Sequence, residues 1–372
     1  MQGGFMDEQN ITPAHGGNIY KLAEELNIDE RDIIDFSASI NPLGVPKGVL
    51  SAIKENGRYL FNYPDPDAEE LTRAIAQHIG MDSRSVLCGN GSTELIYLVV
   101  RALKPEKVLI PAPTFSEYER AVNDPKKIEY FILWEKNKFE PDPDKFIAAM
   151  SGRNSSSTYK SSLTTSVDMA FLCNPNNPTG RLLKKEELLK IANAAKDLKC
   201  HLVVDEAFID FLPDESVIKE VENNPYLIVL RSMTKFYALS GLRVGYCAAH
   251  KSILDIIKKC KEPWTVNTLA QAAGIAALND SSYRDETFKV IRNEKKTLED
   301  GFKILGITYI PSFANFYLLK HDNARGIIAN LKKKGIMIRD CSNFMGLDEA
   351  YMRVAVKSNK QNMRLIKEIA NL

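Results

Sequence analysis

The chain has 372 residues, 44% of them hydrophobic and 26% charged, with a formal net charge of +1 at pH 7. These values describe a globular protein with one large core or two domains, and they weigh against a global basic field that would draw in nucleic acid or an anionic membrane. No apolar run approaches the roughly 20 residues needed to cross a bilayer.

The first residues, Met1 to Gln9, carry no basic segment followed by an apolar one, so no signal peptide is expected. Six cysteines (Cys88, Cys173, Cys200, Cys247, Cys260 and Cys341) lie scattered without C-x-x-C spacing. That pattern argues against a metal site and against a disulfide framework, and a reduced cytoplasm is the expected setting.

In chain order, residues 1–10 read as a frayed start. His15-Gly16-Gly17-Asn18 then leads into an amphipathic helix over Ile19 to Leu26. Phe36 to Pro42 is extended and breaks at the Asn-Pro step, and short helices are expected over Val49 to Glu55 and Ala68 to Ile79. Between them lies the proline-spaced segment Asn62-Tyr63-Pro64-Asp65-Pro66.

Five apolar runs follow, each ending in polar or glycine-rich residues: Val86 to Cys88, Val108 to Ile110, Met169 to Cys173, His201 to Val204 and Tyr226 to Leu230. Helical patterns such as Lys185 to Leu198 sit between most of them, which predicts a mostly parallel α/β sheet. In such sheets ligands bind beyond the carboxyl ends of the strands. The stretch Ser151 to Val167 is Ser/Thr-rich and aperiodic, so it reads as an exposed excursion. From about Ile253 the character changes. A long helical region to about Leu305 precedes strand-like runs at 307–310, 316–319, 337–338 and 351–356, with a terminal helix from about Lys360.

The polar residues at the strand exits are chemically specific. Gly89-Asn90-Gly91-Ser92-Thr93, between a strand and a helix, is either a capped tight turn or a phosphate cradle made of close backbone and helix N–H groups. Asp205 ends an apolar run, where it is either a satisfied structural carboxylate or the counter-ion of a buried cation such as a pyridinium nitrogen. Asn177, in N-P-N-N-P-T-G, is a turn former or a donor to a phenolate-like oxygen. Phe115 is core or a stacking partner for a flat ring.

The last strand opens into Arg231-Ser232-Met233-Thr234-Lys235, followed by Arg243. A lysine partly desolvated there is a Schiff-base nucleophile, with Ser232 and Arg243 suited to a phosphate. The same S-x-x-K also fits acyl-enzyme chemistry. Asn177, Asp205, Lys235 and Arg243 together describe one ligand, a flat phosphorylated pyridine aldehyde.

The segments G-N-G-S-T-E, A-P-T-F-S-E-Y, N-P-N-N-P-T-G, D-E-A-F-I-D-F and R-S-M-T-K-F-Y-A-L-S-G-L-R-V-G-Y resemble those of fold-type I enzymes dependent on pyridoxal 5′-phosphate, in the class I/II aminotransferase superfamily. The resemblance implies an α/β fold, with a large domain built on a mostly parallel sheet and a small α+β domain. It divides the chain into residues 1–61 (an N-terminal arm and part of the small domain), 62–255 (large domain) and 256–372 (small domain). By the same resemblance Lys235 is the catalytic Schiff-base lysine, Asp205 pairs with the pyridine nitrogen, Asn177 bonds the ring oxygen and Phe115 stacks on the ring. Gly91, Ser92, Thr93, Ser232 and Arg243 hold the phosphate. Tyr63 reaches the cofactor of the partner subunit of a homodimer. One departure is Phe208, where many relatives carry tyrosine.

H-G-G-N, D-F-S-A-S-I-N-P-L-G and I-R-D-C-S-N-F resemble in particular the threonine-phosphate decarboxylases of cobalamin biosynthesis; the histidinol-phosphate aminotransferases are the alternative. The implied substrate is a small phosphorylated amino acid, contacted by His15, Gly16 and Asn177, with Arg339 and Arg353 on its two anionic ends. Ser39 stands where those decarboxylases have a substrate-contacting asparagine; serine keeps a hydroxyl but loses the reach that this contact needs. The outcome depends on whether the arginines and His15 hold the substrate carboxylate perpendicular to the cofactor ring.

Overall fold

The computed structural model describes residues 15–153 and 166–372. The expectations for residues 1–10 and for most of 151–167 therefore lie outside the described residues.

The strands alternate with helices through the first two-thirds of the chain. After α1 (Ile19–Leu26), β1 (Ile34–Asp35), α2 (Lys47–Asn56) and α3 (Glu69–Ile79) come β2 (Val86–Gly89), α4 (Gly91–Leu103), β3 (Val108–Ala112), α5 (Glu117–Val122) and β4 (Ile128–Ile132). Then follow α6 (Pro143–Met150), β5 (Met169–Cys173), α7 (Lys185–Leu198), β6 (His201–Asp205), β7 (Leu227–Ser232) and β8 (Gly245–Ala249). The remainder is α8 (Lys251–Lys258), α9 (Thr268–Leu278), α10 (Ser281–Ile304), β9 (Thr308–Tyr309), β10 (Phe316–Lys320), α11 (Ala324–Lys333), β11 (Ile336–Met337), β12 (Arg339–Asp340), β13 (Tyr351–Ala355) and α12 (Asn359–Ala370).

Seven strands form the main sheet in the order β2-β8-β7-β6-β5-β3-β4. Strands β7, β6, β5, β3 and β4 run parallel, and β8 is antiparallel to both its neighbours. Side chains alternate between two apolar layers, as period-two pleating requires. Phe171, Val203, Ile228 and Leu230 face α4 and α8, while Leu172, Val204 and Val229 pack with residues of α3, α6 and α7. Both faces are thus covered, which is why these strands are apolar throughout rather than alternating.

A second sheet, β12-β13-β10-β9, is antiparallel, and β1 from the N-terminal arm pairs in parallel with β11. The arm is further tied down at Asn41, whose Nδ2 donates to the Phe236 carbonyl and to Thr287 Oγ1.

Three features differ from the sequence reading. Strand β8 is inserted between β2 and β7, and β4 forms the edge opposite β2; neither belongs to the five apolar runs. The single long helical region is three helices. Pro263 and Trp264 separate α8 from α9, Asn267 caps α9 by accepting from the Ala270 N–H, and Asp280 caps α10 by accepting from the Tyr283 N–H. Helix α11 also stands between two of the expected strands.

Candidate active site

A cavity of about 470 Å³ lies beyond the carboxyl ends of the central strands. Cys173, Asp205 and Ser232, the last residues of β5, β6 and β7, all line it. Strands β12 and β13 close the opposite side with Arg339 and Arg353.

Pleating explains how neighbouring acids take different jobs. Asp205 points into the cavity, whereas Glu206 turns away and accepts from Arg231 Nε at 2.8 Å. Arg231 also reaches Asp210 and donates to Ser216 Oγ at 2.8 Å, so the exits of β6 and β7 are locked together behind the site.

Asp205 is 3% exposed and accepts from the Tyr118 hydroxyl at 2.8 Å and the Ala207 N–H at 3.0 Å. Burial pushes its carboxyl up to about 6 despite those donors. A carboxylate so placed gains if a cationic partner arrives beside it. Lys235, half-buried, has its ammonium pushed down to about 8, first by burial and then by the charges of Arg353 and Arg243. More of this amine is therefore neutral and nucleophilic near neutral pH than of an ordinary lysine.

Phosphate-binding chemistry gathers at the start of α4. Ser92 and Thr93 occupy the first turn, whose N–H groups have no helical partner. Arg243 approaches from the loop after β7. A Cβ on Gly91, which has φ +77°, would stand 2.7 Å from the Arg243 guanidinium, so only glycine lets the two meet. Ser232 Oγ shares a 2.7 Å hydrogen bond with Thr234 Oγ1. Phe115, between β3 and α5, lines the cavity and meets Tyr118 edge-on at 5.7 Å.

Asn177 Oδ1 accepts from Arg353 Nη1, leaving its Nδ2 for a ligand. Arg353 Nη2 donates to the Ser37 carbonyl at 2.7 Å, but its buried Nε has no protein partner. Burial lowers Arg353 to about 10, and Arg339 falls too for the same reason. Arg339 Nη2 donates to Asn343 Oδ1 at 2.9 Å. Neither arginine has a carboxylate partner among the described residues.

His15 pairs with Glu117 at 2.9 Å, and Gly16 presses against Ser37, where a Cβ would come within 2.6 Å of the carbonyl oxygen. Ser39 Oγ is buried without a partner, and it faces the cavity. The structure thus brings Lys235, Ser92, Thr93, Phe115, Asn177, Asp205, Ser232, Arg243, His15, Gly16, Ser39, Arg339 and Arg353 around one space. Gly91 is not on the cavity wall but lies against Arg243 beside it, and Tyr63 stands apart. This tyrosine is 81% exposed, packs on Trp264 at 4.9 Å and does not line the cavity of its own chain. Phe208 is buried edge-on to Phe316 at 5.0 Å and offers no hydroxyl.

The donor set fits a flat phosphorylated pyridine aldehyde: a partly neutral lysine, a buried acid, a stacking ring, an amide donor and a helix start with an arginine. Sequence reasoning missed Tyr118, Glu117, Arg120, Ser37 and Phe344, although F-S-E-Y stood in a segment singled out for Phe115.

A family model described as aminotransferase class I and II matches residues 31–369. The chain belongs to this family. Class I/II aminotransferase-family enzymes of this fold type are pyridoxal-phosphate-dependent, and the mostly parallel sheet with flanking helices is their architecture. Within the family the chain is 38% identical over 364 residues to a threonine-phosphate decarboxylase from Salmonella typhimurium, with 96% of each chain covered. The histidinol-phosphate aminotransferase structure from Clostridium acetobutylicum superposes with TM-score 0.82 at 32% identity, covering 91% of this chain and 98% of that one. The L-threonine-O-3-phosphate decarboxylase structure from Porphyromonas gingivalis superposes with TM-score 0.76 at 27% identity, covering 91% and 99%. Among the described residues no helix is long and apolar enough to cross a membrane.

Proposed function

We propose that the protein is a pyridoxal 5′-phosphate-dependent decarboxylase. It acts on L-threonine O-3-phosphate, releasing CO₂ and (R)-1-amino-2-propanol O-2-phosphate for cobalamin biosynthesis in the cytoplasm. The observation that carries this reading is the pair Arg339 and Arg353, adjacent, buried and, among the described residues, without carboxylate partners, across the cavity from Lys235. Two such cations suit a small substrate with two anionic ends, a carboxylate and a phosphate.

Ser92, Thr93, Ser232 and Arg243, with Gly91 allowing their approach, would hold the cofactor phosphate. Asp205 would face the pyridine nitrogen, Asn177 the ring oxygen, and Phe115 one ring face. When bound, pyridoxal phosphate supplies an electron sink for the bond broken at Cα. Lys235 would hold the cofactor through its partly neutral amine, and its Nζ is the group placed to return a proton to Cα. Arg353 and Arg339 would hold the two anionic ends of the substrate and so set which bond at Cα is presented for cleavage. His15, Gly16 and Ser39 complete the enclosure. Tyr63, exposed in its own chain, is proposed to reach the phosphate site of the partner in a homodimer.

The second reading is a histidinol-phosphate aminotransferase, favoured by the higher identity and TM-score of that solved structure. Purified protein loaded with pyridoxal phosphate and given L-threonine O-3-phosphate is expected to release CO₂. Transfer of the amine of histidinol phosphate to 2-oxoglutarate, with no CO₂ from threonine phosphate, would establish the second reading instead.

A further inference from the structure

Glu117, the first residue of α5, is a 5% exposed carboxylate two positions beyond Phe115, and no role described so far uses it. Three donors converge on it from different parts of the chain. His15 of the N-terminal arm meets Oε1 through Nε2 at 2.9 Å, Arg120 donates to Oε1 through Nη1 at 2.8 Å, and the Tyr97 hydroxyl of α4 donates to Oε2 at 2.8 Å. Burial alone pushes a carboxyl up, yet these partners hold Glu117 down at about 2. It is therefore a fixed negative charge at the rim of the Lys235 cavity.

His15 and Arg120 both line that cavity, and their side chains are 45% and 44% exposed. Side chains so open to solvent are not fixed by packing alone, so their bonds to the buried carboxylate set where they stand. Nearby, the Gly17 N–H donates to Ser37 Oγ at 2.8 Å. Ser37 in turn accepts from Arg353 through its carbonyl. Arm, cavity mouth and anion-binding arginine are thus mechanically joined. With Nε2 committed to Glu117, Nδ1 is the ring nitrogen of His15 left for a ligand.

We propose that Glu117 is a positioning residue for an anionic substrate: it latches His15 and Arg120, and with them the N-terminal arm, across the mouth of the Lys235 cavity. The assignment rests on the reading of that cavity as the site of a phosphorylated amino acid. Glu117 also lines that cavity, but its carboxylate is already occupied by His15, Arg120 and Tyr97.

The test uses the pyridoxal-phosphate-loaded protein and the substitution Glu117→Gln, which keeps the shape and removes the charge. Hydrogen exchange of the arm amides from Gly17 to Lys21 reads the latch without any substrate. These amides are expected to exchange about tenfold faster in the variant, the scale of one lost charge-assisted hydrogen bond. With L-threonine O-3-phosphate, KM is expected to rise about tenfold while kcat stays within about threefold, the pattern of lost binding that is uniform between ground and transition states. The double variant H15A/E117Q should be less impaired than the sum of the two single variants, because they share one contact while Arg120 is released only by E117Q.

Unchanged exchange and KM in E117Q, or additive effects in the double variant, overturn the proposal. Should E117Q not fold, the same exchange measured on H15A decides: acceleration supports the latch and no change overturns it. Should the wild type not turn over threonine phosphate, the functional reading falls, while the exchange result still decides the latch separately.

Discussion

Arg339 and Arg353 stand directly opposite one another on the antiparallel neighbours β12 and β13. Like charges in that relation repel, and both guanidinium groups are buried at the cavity wall. The sheet tolerates the pair because each arginine has neutral partners: Asn343 and the Phe344 ring for Arg339, and the Ser37 carbonyl, Asn177 and the Phe316 ring for Arg353. An arriving dianion would relieve the repulsion. Replacing Arg339 with Met removes one charge and keeps most of the volume. The ligand-free variant is expected to be more stable by about 0.2–1 kcal/mol in urea denaturation, the scale of a cross-strand pair. Its kcat/KM on threonine phosphate is expected to fall about ten- to a hundredfold, since a bond to a charged group is worth roughly 1.5–3 kcal/mol.

Lys235 is governed by the same positive wall. Its ammonium is depressed from 10.5 to about 8, so the neutral amine predominates above that pH. A depressed lysine contributes stability that is fully present above about 10.5 and lost as pH falls through 8. Uptake of pyridoxal phosphate by the apoprotein, followed by its visible absorbance, is expected to accelerate as pH rises through about 8 and then level off. Arg353 is the largest charge acting on Lys235, so in R353Q the midpoint of that profile should move to higher pH. A midpoint that stays in place would show that burial alone sets it.

Much of this site was legible because strand exits concentrate chemistry. Asp205, Asn177, Ser232 and Lys235 each follow an apolar run, and the run fixes where the polar residue must emerge. What escaped the sequence has physical causes. Strand β8, G-Y-C-A-A, is made of small residues, and its membership in the sheet is decided by β2 and β7 on either side. Strand β4 is a half-buried edge. The helix breaks at Pro263 and at Asn279-Asp280 carry ordinary stop and cap signals, which a long helical periodicity hides when the caps are not read first. Tyr118 looks like any core aromatic until its hydroxyl is seen on Asp205. Tyr63 is named in the sequence but lies open on the surface of its own chain, packed only on Trp264 among the rings described.

Tyr118 tunes the buried acid Asp205. Asp205 is raised from 3.8 to about 6, chiefly by burial, and the Tyr118 hydrogen bond opposes that rise. A raised carboxyl contributes stability that is present below about 3.8 and lost as pH climbs through 6. The apoprotein is therefore expected to lose stability across that window, and Asp205→Asn should flatten the loss. Tyr118→Phe removes a donor to the carboxylate, so the loss should extend to higher pH and pyridoxal phosphate should bind more weakly at pH 7. Denaturation midpoints measured from pH 4 to 8, with cofactor titrations at pH 7, check both statements. Identical profiles for Y118F and wild type would remove Tyr118 from this role.

The phosphate cradle depends on how closely β8 lets α4 approach. A Cβ on Gly245 would stand 2.6 Å from the Ser92 backbone nitrogen and 2.7 Å from the Arg231 carbonyl oxygen. Both obstacles are backbone, so neither can rotate away, and the first turn of α4 must shift. Gly245→Ala is expected to weaken pyridoxal phosphate binding at least about tenfold and to cost 1–3 kcal/mol of stability, the usual range for overpacking. Gly241, four residues earlier, has nothing within 4 Å of its Cβ position and no left-handed backbone. Gly241→Ala should therefore change stability by no more than about 0.5 kcal/mol, as surface substitutions do, and leave cofactor affinity intact. Paired measurements of Kd and Tm separate the two. Equal effects at both glycines would mean that the contact between Gly245 and Ser92 does not shape the cradle.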